Sequence, residues 1–488
     1  MRCFKSIVIA VMILMFSESC YKEEVVFDSE PNSLLELPLL LKINDKDCAF
    51  DYNTSSLRYP ITNDQISQFE VLIAFQDYSV IYFEDQLLVN NQINNLGEIR
   101  INRAYKVKVI TNNIVSELIL TFTNLPIIQI ILPDQIFDEP KTLAKVFVNY
   151  ADRKAISSYI GIEQRGGWHT LQLPKRSYNF TFLNSIYIDD KVSKSLFDLE
   201  TNSQWVLDGM FADEVRAKNK IGSQIWLGIS GDNHFGPQLN YVELFINNQH
   251  QGLYCLGPKI NYESIGLSNN EALLYKAIGW TGPGCFSESS SNIPTIERWD
   301  GWVQKYPPPG QRINWGPLAD LRDLVVNASD QDFSSSIGIL IDIDNFIDYY
   351  LFLNLTCAAD NLGKNIYLTR NLLSKPLCII PWDYDNSFRS KYSIISANRL
   401  YQRLLSLGPV NFRQRLKDRW FYLRNNSFEL SNLKSIFQKN FDKIKPSDII
   451  TIENNKWGSS IDIEMECNNL ISWISTRVNS LDEYYYNL

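Results

Sequence analysis

The feature that most constrains the fold is a change of hydrophobic period partway along the chain. From about Leu35 to Ile131 short apolar runs such as "FEVLIAF", "SVIYF", "GEIRI", "YKVKVIT" and "SELILTF" alternate with Asn, Asp and Gly. Strands of this length and spacing, with almost no helical period, predict an antiparallel β-sandwich of about a hundred residues. That unit carries no catalytic constellation, and its reading is a spacer or binding module. The acidic, proline-bearing "LPDQIFDEPKT", Leu132 to Thr142, marks the boundary.

Beyond it come strands "AKVFVNY", "YIGIEQRG" and "SYNFTF", and then "WVLDGMFADEVRAKNKIGSQIW", whose three-to-four spacing reads as a helix. "YVELFINNQHQGLYCLG" reads as a hairpin turning at Asn-Asn-Gln. Gly279 to Pro317 reads as a long loop, and helices dominate from there to "LISWISTRVNSLDEYYYNL". The fold class is therefore α+β: a small all-β domain over 35–135, then a larger domain over 136–488 with a cleft between its halves. A chain of 488 residues exceeds what one core holds, which also requires two units.

Cysteine, histidine and charge exclude several chemistries. The net charge is −9 and no Lys/Arg cluster stands out, so no nucleic-acid partner is expected. Three histidines, His169, His234 and His250, are scattered, and no CxxC pair occurs, which argues against zinc. The start, "MRCFKSIVIAVMILMFSESC", places Arg2 and Lys5 before an apolar run of about ten residues, too short to span a bilayer and suited to a secretory signal. With Cys20 at the cleavage point it resembles a bacterial lipoprotein signal over 1–19, although Glu18 is unusual for one. A plain secretory signal with a chance cysteine is the alternative. The acidic 20–34 reads as a tether and resembles the surface-export signal of Bacteroidota lipoproteins. The expected address is the cell envelope, lipid-anchored at Cys20, at the outer membrane or cell surface.

The richest chemistry lies in "AADNLGKNIYLTRN" and "IIPWDYDNSFR". A helix, "DNFIDYYLFLNLTCAAD", buries Phe346, Tyr350, Leu353 and Cys357 and delivers Asp360 just past its end. Asp360 to Asn365 then reads D-x-x-x-x-N, two strands follow, and Asp383 comes directly after the second. Helix, D-x-x-x-x-N loop, β-hairpin, Asp is the order in which protein kinases place their machinery. An Asp that accepts the hydroxyl proton, with an Asn and a second Asp giving hard oxygen ligands to Mg²⁺, accounts for the spacing. The bland alternative is a helix-stop pair at Asp360 and Asn361 and an Asx-rich turn at "DYDN". The glycine-rich loop and H-R-D motif of ordinary kinases are absent.

From about Asp138 onward the chain resembles the spore-coat protein H (CotH) kinase family, atypical secreted kinases whose fold is a remote variant of the protein kinase fold. The resemblance rests on "IEQRGGW" with "PKRSYNF", "WVLDGMFADEVRAKN", "YVELFINNQHQGLY", "LLYKA", "DNLGKNIYL", "IIPWDYDNSF" and "LISWISTRVNSLDEY". It implies ATP- and metal-dependent phosphoryl transfer to protein hydroxyls, with Mg or Mn. Asp360 matches the catalytic Asp, Asp383 the metal-binding Asp and Asn365 a further ligand. Asp385 is either a ligand or a turn cap. Arg165, Lys175 and Lys276 are the expected triphosphate-facing cations, each with a plain structural alternative. Two departures stand out: Pro258 where similar sequences carry Glu, and Leu377 near the place of an aromatic that can stack on adenine. Tyr275 and Trp382 remain as ring candidates. These departures favour a second reading, a catalytically silent surface adhesion or assembly module. A carbohydrate-active pair at Asp383 and Asp385 ranks below both, since residues two apart flank no substrate.

Overall fold

The computed structural model describes residues 37, 40–167, 170–279, 285–288, 292–308, 310–389, 394–395 and 398–488. Cys20, the signal and the tether lie outside them. Among the described residues no helix is long and apolar enough to cross a membrane.

The N-terminal unit is a pair of β-sheets facing one core. A six-stranded sheet and a four-stranded sheet contribute Leu57, Ile81, Val107, Leu120 and Phe122 from one side and Ile43, Val71 and Ile73 from the other. Inward residues alternate with exposed ones along Ala104–Thr111, as a half-buried strand requires. Asn112 and Asn113 take left-handed φ values of 51° and 63° and close the tight turn to Ile114–Thr123. The expectation of purely antiparallel pairing needs one correction: Ile114–Thr123 runs parallel to Ser56–Pro60.

The strand Ile127–Ile131, which the sequence pattern groups with the sandwich, belongs to the next unit. It pairs with Thr142–Asn149 and, in parallel, with Asn240–Ile246, and completes a seven-stranded closed barrel. All five of its residues are buried, because it is covered on both faces. The other barrel strands are Ile156–Arg165, Ser177–Leu183, Gln204–Asp208 and Gln249–Pro258. Their inward residues, among them Ile160, Ile162, Phe180, Trp205, Leu244 and Tyr254, fill the interior.

The expected long helix over "WVLDGMFADEVRAKNKIGSQIW" divides. Gln204–Asp208 is a barrel strand and only Lys218–Leu227 is helical. An apolar run of three residues fits either element, and pairing with Gln249–Pro258 decides for the strand. The buried carboxylate of Asp213 accepts from Val215 N at 3.0 Å and Lys218 N at 2.7 Å, which starts the helix late.

After the barrel a five-stranded sheet runs Arg298–Trp299, Trp302–Tyr306, Leu273–Ala277, Ile366–Arg370, Cys378–Pro381. Its first two strands form within the stretch read as loop, where Trp299, Trp302 and Trp315 are core residues. The helices pack behind this sheet around Ile343–Thr356, which is buried along nearly its whole length. Asp342 caps that helix through Asn345 N at 3.1 Å, and Cys357 ends it in a left-handed conformation at φ 53°.

Candidate functional site

Four acidic side chains gather where the barrel faces the five-stranded sheet, arriving on three different segments. Asp360 sits in the 3₁₀ turn Ala359–Leu362 just beyond the buried helix, as the spacing predicts. Asp383 and Asp385 follow the Cys378–Pro381 strand directly. Asp208 ends the barrel strand Gln204–Asp208. The proximity is electrostatically evident: burial and then Asp385 push the Asp383 carboxyl up to about 7, with Asp208 adding to the rise. Burial, Asp208 and Asp360 likewise raise Asp385.

The hairpin mouth is tied by Asn361. Its amide donates to Asn365 O at 3.1 Å and to Trp382 O at 2.9 Å, while Trp382 N donates to Asn365 O at 3.1 Å. Asn361 O in turn accepts from Tyr349 OH of the buried helix. Asn365 and Asp383 therefore stand side by side, and both adopt left-handed backbones, at φ 59° and 65°. Non-glycine residues enter that region at a cost, and such strain concentrates at functional sites. Asp385 accepts from Asn386 N, as a turn cap would, and it lies within electrostatic reach of Asp208 and Asp360.

Cations line the other side. Lys276 Nζ lies 4.3 Å and the Arg165 guanidinium 5.0 Å from the centre of the Trp382 ring. Lys276 pairs across the sheet with Tyr367, whose ring is 6.1 Å from Trp382. Burial, then Arg165, Lys305 and Lys259, lower Lys276 to about 7, against the pull of Asp383. Burial and Lys141 bring Lys259 to about 8, with Lys305 and Arg165 contributing. Lys259 and Lys305 were not singled out from sequence, since single lysines at strand ends carry no pattern; only folding assembles them. Trp382 Nε1 is buried without a partner beside these cations.

Lys175 corrects the sequence expectation. It is 1% exposed and not open to a ligand: its ammonium donates to Leu253 O at 2.5 Å and to Glu453 Oε1 at 2.6 Å. Glu453 comes from the helix Ile449–Trp457 and also takes Arg216 Nε at 3.1 Å and Leu253 N at 2.8 Å. Burial lowers Lys175 to about 8, with Glu453 opposing the fall. Its charge is already matched, so it cements the barrel to the C-terminal helices. Leu377 is buried in the core, bridged to Ile341. Tyr275 is buried and stacked on Trp315 at 5.3 Å, a core role. Pro258 ends its barrel strand opposite Trp205.

The residues missed by sequence reasoning are Asp208 and its partner Asn219. Asp208 Oδ2 accepts from Asn219 Nδ2 at 2.7 Å, and Oδ1 from Met210 N at 2.9 Å. The one available signal was an Asp after the apolar run "WVL", hidden once the segment was read as helix.

Does this donor set fit a magnesium or manganese ion? Among the described residues, no three His, Cys, Asp or Glu side chains already stand in a ligating arrangement. Mg²⁺ needs less from the protein: one or two carboxylates, with phosphate oxygens and water completing the shell. Asp383 with Asp385 or Asn365 meets that requirement, and the raised Asp383 carboxyl marks acids short of compensating charge. The donors fit.

A barrel and a five-stranded sheet backed by helices thus bring these acids and cations close together. The CotH kinase protein family model matches residues 162–481, well over half of the chain, and the chain belongs to the CotH kinase family. No match was found among curated proteins. The family supports a kinase-like role for this unit.

Proposed function

We propose that the protein is an atypical protein kinase that moves the γ-phosphoryl group of ATP to protein hydroxyls with Mg²⁺ or Mn²⁺. The observation that carries the reading is the grouping of Asp208, Asp360, Asp383 and Asp385 within electrostatic reach of Arg165 and Lys276, which both stand over the Trp382 ring. Like charges gathered on each side leave one side suited to a cation and the other to phosphates. Asp383, with Asn365 and Asp385, would hold the metal, which when bound neutralises charge on the β- and γ-phosphates. Arg165 and Lys276 bind phosphate oxygens, joined by Lys259 and Lys305.

Asp360 follows the buried helix Ile343–Thr356 in the turn ahead of the hairpin, the place of the catalytic Asp in the kinase order, and it is the base. The substrate hydroxyl oxygen bonds to the γ-phosphorus while the bond from phosphorus to the β,γ-bridging oxygen breaks. The hydroxyl proton passes to the Asp360 carboxylate, and ADP leaves. The lipid anchor at Cys20 would hold this unit at the cell envelope.

The test is incubation of the protein lacking its signal with γ-labelled ATP and Mn²⁺ or Mg²⁺, comparing wild type with Asp383→Ala. Label on wild type that falls by roughly two orders of magnitude or more in the variant is expected. Equal label on both, or none on either, overturns the reading and leaves the silent adhesion module in its place.

A further inference from the structure

Asn219 occupies a position that its distance in sequence from the hairpin conceals. Its side-chain nitrogen donates to Asp208 Oδ2 at 2.7 Å, and its side-chain oxygen accepts from Tyr384 N, between Asp383 and Asp385. One amide therefore joins the end of a barrel strand to the segment that carries both post-hairpin carboxylates. The surroundings leave that amide little freedom. Asn219 is only 9% exposed and sits in the first turn of Lys218–Leu227. One turn further on, a Cβ at Gly222 would meet the Tyr384 ring at 2.6 Å, so helix and loop are in direct contact there. Asp208 is itself held by Met210 N and by Ser177 Oγ at 3.3 Å, which settles which way the Asn219 amide faces.

Tyr384 N is also the one main-chain donor between the two acids. Whatever holds it sets how the left-handed Asp383 and the turn-forming Asp385 present their oxygens. We infer that Asn219 is a positioning residue: it clamps Tyr384 N against Asp208 and so fixes the spacing of Asp383 and Asp385 for cation binding. The inference rests on the metal reading given above. A residue that only stabilised the helix would bond within its own turn; Asn219 instead spends both polar atoms on other segments. Partners that orient carboxylate ligands commonly change metal affinity by about 10- to 100-fold when lost.

The experiment titrates Mn²⁺ by electron paramagnetic resonance into the signal-free chain as wild type, Asp383→Ala and Asn219→Leu, and follows hydrogen exchange at the Tyr384 amide. Expected are wild-type binding that Asp383→Ala abolishes, binding at least ~10-fold weaker in Asn219→Leu, and Tyr384 exchange faster by on the order of 100-fold in Asn219→Leu. Should Asn219→Leu fail to fold, the double variant Asp208→Asn with Asn219→Asp takes its place. It reverses donor and acceptor between the two residues and keeps the acceptor for Tyr384 N, so Tyr384 protection is expected to return in it but not in Asn219→Asp alone. Wild-type binding with Mn²⁺ affinity or Tyr384 protection unchanged in Asn219→Leu overturns the positioning role alone. Absence of Asp383-dependent Mn²⁺ binding in wild type overturns the metal reading, and the inference with it.

Discussion

Neutralising Asp383 is expected to stabilise the metal-free protein while it removes activity. Burial and the neighbouring acids raise this carboxyl from 3.8 to about 7. That rise corresponds to about 4 kcal/mol between its protonation states. The folded protein holds the proton where the unfolded chain has released it, so stability falls as pH rises from about 4 through about 7. At pH 8 the full cost is present. Most of it is burial and part is repulsion from Asp385 and Asp208, and the replacement amide is still buried, so about half, ~2 kcal/mol, is expected to be recovered on substitution. Asn is the suitable replacement, because it tolerates the left-handed backbone at φ 65°. The assay is thermal unfolding of wild type and Asp383→Asn in chelator at pH 5 and pH 8. The variant should melt a few degrees higher at pH 8, on the scale of ~2–4 °C per kcal/mol, with the gap narrowing towards pH 5. Mn²⁺ should close the gap by stabilising wild type alone. A variant that melts at or below wild type at pH 8 would refute the claim that uncompensated negative charge is stored at this position.

Other consequences follow from named contacts. Glu453→Gln leaves Lys175 and Arg216 buried without a full counter-charge, and should cost about 3–5 kcal/mol in chemical denaturation, with aggregation an acceptable sign of the same loss. Lys276→Met should raise the KM for ATP by about tenfold or more; because burial and neighbouring cations lower Lys276 to about 7, wild-type affinity should weaken as pH rises from 6.5 to 8.5 while the variant stays flat. Gly222→Ala pushes a methyl group into the buried Tyr384 ring, and should lower phosphoryl transfer by about tenfold or more together with a loss of about 1–3 kcal/mol of stability in denaturation. Arg58→Leu removes the bidentate contact to Asp448 and the bond to Glu243 that tie the sandwich to the second unit, and should make the joint near Thr123 to Pro126 more susceptible to limited proteolysis.

The order of site residues along the chain was legible because the chemistry demands it locally. Asp360, Asn365 and Asp383 are separated by one turn and one hairpin, whose register pairs Ile366 with Pro381 and Thr369 with Cys378. Phe346, Tyr350, Leu353 and Cys357 are buried as expected, but so is nearly every residue of that helix, so the spacing did not single out a face. What remained hidden depends on contacts between distant segments. Asp208 faces the hairpin only because its strand closes a barrel, and a strand of five residues carries too little period to separate it from the helix that follows. Lys175 was read as a phosphate ligand because its partner Glu453, 278 positions away, has no local signature. Ile127–Ile131 was grouped with the sandwich because both units consist of similar strands up to that point, and only its pairing with Asn240–Ile246 assigns it.

The claim at the centre of the account is that this cleft binds a metal–nucleotide pair by its phosphates. Anomalous scattering from crystals grown with Mn²⁺ and a non-hydrolysable ATP analogue tests it most directly. The account predicts a manganese peak at about 2.1–2.3 Å from an oxygen of Asp383, with phosphate oxygens within about 3 Å of Lys276 Nζ and the Arg165 guanidinium. Nucleotide bound with its phosphates turned away from Lys276, or manganese seated without Asp383, would contradict it.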